Sequence, residues 1–177
     1  MREASSRSVL SFSAAVLSSA WSSFIAWNCR PKSTAGSTKA VIAENGITMD
    51  AIPLKQMILP LVVLDATPYL HKDPNHAFSL PDLRAWEKRY GRIPRGSFVA
   101  LRTDMYKDWD TNPERFKRAP FPAWSLDVIK FLYEQRGVVA TGHESLDTDA
   151  TDKMESETSI LQHGHYQIEV MANLDKV

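Results

Sequence analysis

The side chains able to bind a cation or move a proton gather in the last third of the chain. Residues 137–177 hold three of the five histidines, His143, His163 and His165, together with Glu144, Glu157 and Glu169. Within this stretch, residues 165–171 alternate between apolar and polar types, which predicts a strand. Tyr166, Ile168 and Val170 then share a face fit for packing. His165, Gln167, Glu169 and Met171 share the opposite one. A carboxylate and an imidazole on one strand face are the raw material of a metal or acid/base site. Cys29 is the single cysteine, so an internal disulfide and a cysteine-based zinc site are both excluded. Any metal must be held by His, Asp and Glu, a donor set that suits zinc, manganese or magnesium.

These residues need a scaffold, and the composition provides for one. A chain of 177 residues is long enough for a single domain with a real core. Lys and Arg together number 21, as do Asp and Glu, so no net field draws nucleic acid or an anionic membrane. Residues 1–39 form a non-domain N-terminus rich in Ser and Ala. Serines interrupt its apolar run at residues 9–27 too often for a spanning helix. Secretory signal, mitochondrial transit peptide and unstructured leader all stay open for this region. The protein is expected to be cytoplasmic unless that segment directs it elsewhere. Residues 33–39 read as a linker, and the domain is expected over residues 40–177, with Asn45-Gly46 as an early turn.

The elements that position the candidate residues alternate in type. Residues 54–57 read as a short helical segment. Residues 59–66 are a continuous apolar run, as in a strand covered on both faces. Residues 69–77 read as a polar loop with His71 and His76. Residues 79–90 form a helix: Ser79 caps it, Asp82 completes a capping box, and Gly91 ends it. Residues 97–103 are a strand, and 106–122 a long aromatic loop with Trp109 and Phe116. Residues 125–136 are a helix capped by Ser125 and ended by Gly137, followed by a strand at 138–141. The order strand, helix, strand predicts an α/β domain.

Several segments, in order, resemble the cyclase family of metal-dependent hydrolases, which includes bacterial kynurenine formamidase and isatin hydrolase. Residues 46–54, Gly-Ile-Thr-Met-Asp-Ala-Ile-Pro-Leu, are similar to that family's lead into its first core strand, here 61–65. Residues 96–103 resemble the strand before its variable aromatic loop, and Phe121-Pro122-Ala123-Trp124-Ser125 precedes a helix as it does there. Gly142-His143-Glu144-Ser145-Leu146-Asp147 stands where the family has Gly-Ile-Asp-Thr-x-Ser-x-Asp. Glu169-Val170-Met171-Ala172-Asn173-Leu174-Asp175 resembles its Glu-Asn-Leu-x-Asn-Leu-Asp. The resemblance implies a swivelling β/β/α domain, truncated here, in a homo-oligomer that binds a divalent metal, manganese or zinc. It implies hydrolysis of an aryl formamide or cyclic amide, as in tryptophan catabolism, with a water activated by the metal.

Carried over residue by residue, the resemblance makes Glu169 and Glu157 metal ligands, with Glu157 standing where the family has His. The family's His-x-Gly-Thr-His-x-Asp-x-Pro-x-His signature has no counterpart; residues 32–41 contain neither His nor a carboxylate. This departure supports a second reading, a non-catalytic remnant or interaction protein that keeps the scaffold. His143, Glu144, Trp109 and Phe116 are candidates for the substrate pocket, and no catalytic residue is assigned. Each also has a structural reading: Glu169 as a solvated strand residue, Glu157 as a first-turn helix carboxylate, the aromatic residues as packing. His163 and His165 flank a Gly turn, and an ordinary surface role is expected for them.

Overall fold

The computed structural model describes residues 47, 49–117, 119–151 and 153–177. The N-terminal segment 1–39, the domain start at residue 40 and the Asn45-Gly46 turn lie outside the described residues. Strand β1 (Leu61–Asp65) leads through α1 (Thr67–Leu70) to the short β2 (Ala77–Phe78) and helix α2 (Leu80–Tyr90). Strand β3 (Phe98–Arg102), the aromatic segment and β4 (Ala123–Trp124) follow. Helix α3 (Leu126–Lys130) continues as a π-helical turn over Phe131–Arg136. Strand β5 (Ala140–His143), helix α4 (Glu155–Gln162) and β6 (Tyr166–Ile168) complete the order.

β1, β3, β5 and β6 pair in that order in one all-parallel sheet, and β2 pairs with β4 in a second. Parallel neighbours need long crossovers, and the helices supply them. Alternation of side chains then sorts the sheet into two faces. Leu64, Val99 and Leu101 pack under the helices with Leu83, Val128, Ile129, Leu132 and Ile160. Phe98, Ala100 and Ala140 face the other way, with Leu61, Val63, Tyr166, Ile168 and Met171.

Helix α2 begins as its sequence requires. The Ser79 backbone N–H donates to Asp82 Oδ2 at 2.8 Å, the reciprocal bond is present, and Gly91 closes the helix at φ 98°. Two expectations need correction, and one holds in part. The run at 59–66 is packed on both faces, with Val62 and Leu64 toward the helices and Leu59, Leu61 and Val63 on the opposite side, but among the described residues β1 pairs with β3 alone and Leu64 is its one fully buried residue. The loop at 69–77 is partly ordered, with Tyr69 stacked on His76 at 5.1 Å and Ala77 paired to Ala123. The face assigned to residues 165–171 holds only through Ile168. Val170 takes φ 53°, which breaks the alternation and turns Met171 onto the side of Ile168.

Two contacts fasten the frame behind the site. The Arg136 guanidinium forks onto Glu87 (Nε to Oε1 2.6 Å, the second nitrogen to Oε2 2.7 Å) with both side chains 10 % exposed. This bond holds the Glu87 carboxyl below the usual range and ties α2 to the π turn. Gly142 lies where a Cβ would meet Met171 Sδ at 2.5 Å, Phe98 Cζ at 2.6 Å and the Ile168 carbonyl oxygen at 3.0 Å.

Replacing Arg136 by Met leaves Glu87 buried without its partner, and is expected to lower stability by about 2–3 kcal/mol in urea denaturation. A loss of only a few tenths would assign the pair no structural weight. Gly142→Ala is expected to destabilise by about 1–3 kcal/mol, because backbone as well as side chains must move. The same denaturation curves test it, and an unchanged midpoint would contradict the close packing described.

A buried carboxylate and histidine site at the carboxyl ends of the sheet

In an open parallel sheet, sites form where strands leave the sheet at their carboxyl ends. Here β5 ends at His143, and residues 144–149 run along that edge. His143 is fully buried. Its Nδ1 lies 3.0 Å from the Ser145 carbonyl and 3.0 Å from Ser145 Oγ, and its Nε2 lies 3.1 Å from Thr148 Oγ1. Burial pushes its pKa down to about 4, so the ring is neutral.

Glu144 is also fully buried. Its Oε2 accepts from Thr103 N (2.9 Å), Thr103 Oγ1 (2.9 Å) and Met105 N (3.2 Å), while Oε1 has no partner among the described residues. Burial raises this carboxyl above its ordinary range. Through these bonds Glu144 anchors the start of the aromatic segment to the sheet edge. Phe116 packs with Met105 and Phe121 in a small satellite core, and Trp109 leans edge-on against Phe116 at 4.9 Å while remaining 54 % exposed. The aromatic segment therefore reaches the site through Met105 and Glu144.

Glu157 sits in the first turn of α4. Met154 offers that helix no side-chain cap, and Asp149 caps it instead. The Asp149 carboxylate accepts from Ser156 N at 2.9 and 3.0 Å and from Glu157 N at 3.1 Å. Burial, with Asp147 and Asp149 nearby, pushes the Glu157 carboxyl up to about 7. Glu169 follows the end of β6 and accepts from Gln167 Nε2 at 2.8 Å. Burial, with the charges of Glu157 and Asp147, pushes it up to about 8. Among the described residues no Lys or Arg lies within ion-pair distance of Glu157 or Glu169.

The structure thus brings Glu157, Glu169, Asp147 and Asp149 into one electrostatic neighbourhood and joins His143 to it. His163 and His165 stay apart: His163 Nδ1 bonds the Ser159 carbonyl at 2.7 Å on the surface, and His165 stacks on Tyr133 at 4.0 Å. Both line a shallow hollow with Lys130, Glu134 and Ser159. Sequence reasoning passed over Asp149, Thr148 and Gln167. The available signal was two alternating carboxylates, Asp147 and Asp149, directly beyond a strand end. Among the described residues no three His, Cys, Asp or Glu side chains form a group that could hold a metal ion. Glu157 and Glu169 carry oxygen atoms, the donor type that suits hard divalent cations.

Comparison with known proteins gives the chain its family. The chain is 27 % identical over 150 residues to isatin hydrolase of Roseibium aggregatum, covering 76 % of this chain and 54 % of that one. Its fold matches isatin hydrolase A from Ralstonia solanacearum with a TM-score of 0.69 at 26 % identity, over 75 % of this chain and 54 % of the other. It also matches a potential metal-dependent hydrolase with cyclase activity at a TM-score of 0.55 and 20 % identity, over 75 % of this chain and 58 % of that one, a likeness of fold. The chain spans about half the length of these relatives. A Cyclase family model matches residues 33–150, more than half of the chain, and the chain belongs to the cyclase family.

Proposed function

We propose that this chain is part of a metal-dependent hydrolase of cyclic amides or aryl formamides, in which Glu157 and Glu169 hold a divalent cation. The observation that carries the reading is a buried carboxyl, Glu157, beside a half-buried one, Glu169, both with raised pKa values and with no basic partner among the described residues. Two such groups resist joint ionisation because burial and mutual repulsion both oppose it. A divalent cation between them removes that penalty. Oxygen donors fit manganese better than zinc, which favours nitrogen and sulfur. The ion supplies Lewis acidity toward an amide carbonyl when bound.

The chain's own residues then have distinct tasks. Asp149 fixes the start of α4 and with it the height of Glu157. Glu144 holds the aromatic segment, which offers the exposed Trp109, braced from behind by the buried Phe116, as the wall for an aryl amide. His143 contributes a neutral, buried imidazole. Kinship with isatin hydrolase, named for a cyclic aryl amide, supports that substrate class, and a swivelling β/β/α domain is the architecture we assign to the whole enzyme. Leu54, Met57 and Ile58 are exposed just ahead of β1, which pairs on one side only among the described residues, and suit contact with a second copy. One observation favours the alternative of a non-catalytic scaffold: no three metal-ligating side chains group together among the described residues.

The two readings separate on cation binding. Calorimetric titration with Mn(II) at pH 8 is expected to show binding that Glu169→Gln and Glu157→Gln each weaken. Hydrolysis of isatin and of N-formyl aryl amides is then the activity to measure. No heat of binding in the wild-type chain would leave the scaffold reading standing.

The raised pKa values fix a sign for the metal-free protein. A carboxyl whose folded pKa exceeds its unfolded value keeps its proton longer when folded. Its contribution is fully present below the unfolded value near 4.5 and is lost as pH climbs through about 7 for Glu157 and about 8 for Glu169. Glu157→Gln and Glu169→Gln are therefore expected to melt above the wild type at pH 8.5 and show no advantage at pH 4.5. Equal melting temperatures at pH 8.5 would mean that the carboxylates are hydrated rather than buried.

A further inference from the structure

The aromatic segment leaves β3 through a turn held by charged groups. Asp104, at φ 59°, opens the 3-10 turn Met105–Asp108. Arg102 forks onto its carboxylate, with Nε 2.7 Å from Oδ1 and a terminal nitrogen 3.1 Å from Oδ2, and Lys107 Nζ donates to Oδ2 at 2.7 Å. These groups meet a second 3-10 turn, Leu174–Lys176. There Asp175 Oδ1 accepts from the Tyr106 hydroxyl at 2.7 Å, and its Oδ2 lies 3.2 Å from Lys107 Nζ.

Asp175 is anchored to the sheet and not to the segment it holds. Leu174 beside it is 3 % exposed and packs with Phe98, Ala100 and Ala140. The hydrogen bond from Tyr106 keeps the Asp175 carboxyl below its ordinary range and raises the Tyr106 hydroxyl, so the phenol donates to a charged acceptor. Of the two contacts the phenol carries the weight, because the exposed Lys107 has Asp104 as a closer partner.

The 3-10 turn passes this anchoring on to Trp109. Residues three apart in such a turn stand over one another, and Trp109 follows Tyr106 by three. Its backbone N–H donates to the Tyr106 carbonyl at 3.1 Å. Behind Trp109, Phe116 packs with Met105 and Phe121 in a core separate from the two that line the sheet. The segment is therefore oriented by polar anchors at its root: Glu144 on Thr103 and Met105, and Asp175 on Tyr106. We infer that Asp175 is a positioning residue for the substrate wall, fixing through the Tyr106 hydroxyl the direction in which Trp109 meets an aryl amide. This rests on the reading of Trp109 as that wall and is independent of the cation.

The test uses the full chain in two measurements. In protein grown with 5-fluorotryptophan, the fluorine resonance of Trp109 is the one missing from Trp109→Phe. Asp175→Ala and Tyr106→Phe are expected to move or broaden it. Asp175→Asn, which keeps an oxygen for the phenol, is expected to leave it in place. For isatin hydrolysis, the first two variants are expected to raise KM about five-fold with kcat within about two-fold, and Asp175→Asn to stay within about two-fold in both. Should Asp175→Ala fail to fold, Tyr106→Phe alone decides. An unmoved Trp109 resonance in Tyr106→Phe would overturn the positioning role. A moved resonance with an unchanged KM would overturn the link to substrate. Absence of hydrolysis in the wild type would overturn the reading of Trp109 as a wall, while the resonance still decides whether Asp175 places that side chain.

Discussion

A chain segment that leaves a buried parallel strand must satisfy its polar groups without help from bulk water. That requirement organises the whole carboxyl edge of this protein. Residues 143–149 meet it by reaching in turn to each neighbouring element. Glu144 takes the N–H groups beyond β3, the His143 and Ser145 carbonyls take those beyond β6, the Thr148 carbonyl takes Trp124 N, and Asp149 takes the first N–H groups of α4. Each bond that relieves a buried group also fixes the position of a candidate site residue. Gly142 makes the arrangement feasible by admitting Met171 and Phe98 against the strand just before it turns polar.

The frame was largely legible because its determinants are local. Ser79, Asp82 and Gly91 specify both ends of α2, and alternation specifies Tyr166 and Ile168 as the packed face of β6. Alternation draws attention to Glu169, and family resemblance is what pairs it with Glu157 as a candidate ligand. The features that escaped are those set by distant partners. Asp149 caps a helix that starts several residues later, and nothing near Met154 announces it. Glu144 is bound by residues 39 and 41 positions away. The π turn at Phe131–Arg136 departs from a regular helix where Tyr133 reaches Thr141 and Arg136 reaches Glu87, partners that no helical pattern records. Val170 left the strand pattern because its left-handed backbone is set by the pinning at residues 143–145.

The fold treats buried carboxylates in two different ways, and the contrast is informative. Glu87 is matched by a forked guanidinium, which holds its pKa down and makes its burial compatible with charge. Glu157 is buried and Glu169 half-buried beside other acids, and their pKa values rise instead. A chain that can supply Arg136 to one carboxylate faces no chemical obstacle to supplying a basic residue to another. Leaving two acids together disfavours their charged forms, and strongly shifted groups of this kind cluster where proteins bind or react. The neutral ring of His143 fits the same logic: it adds no positive charge that would neutralise the cluster.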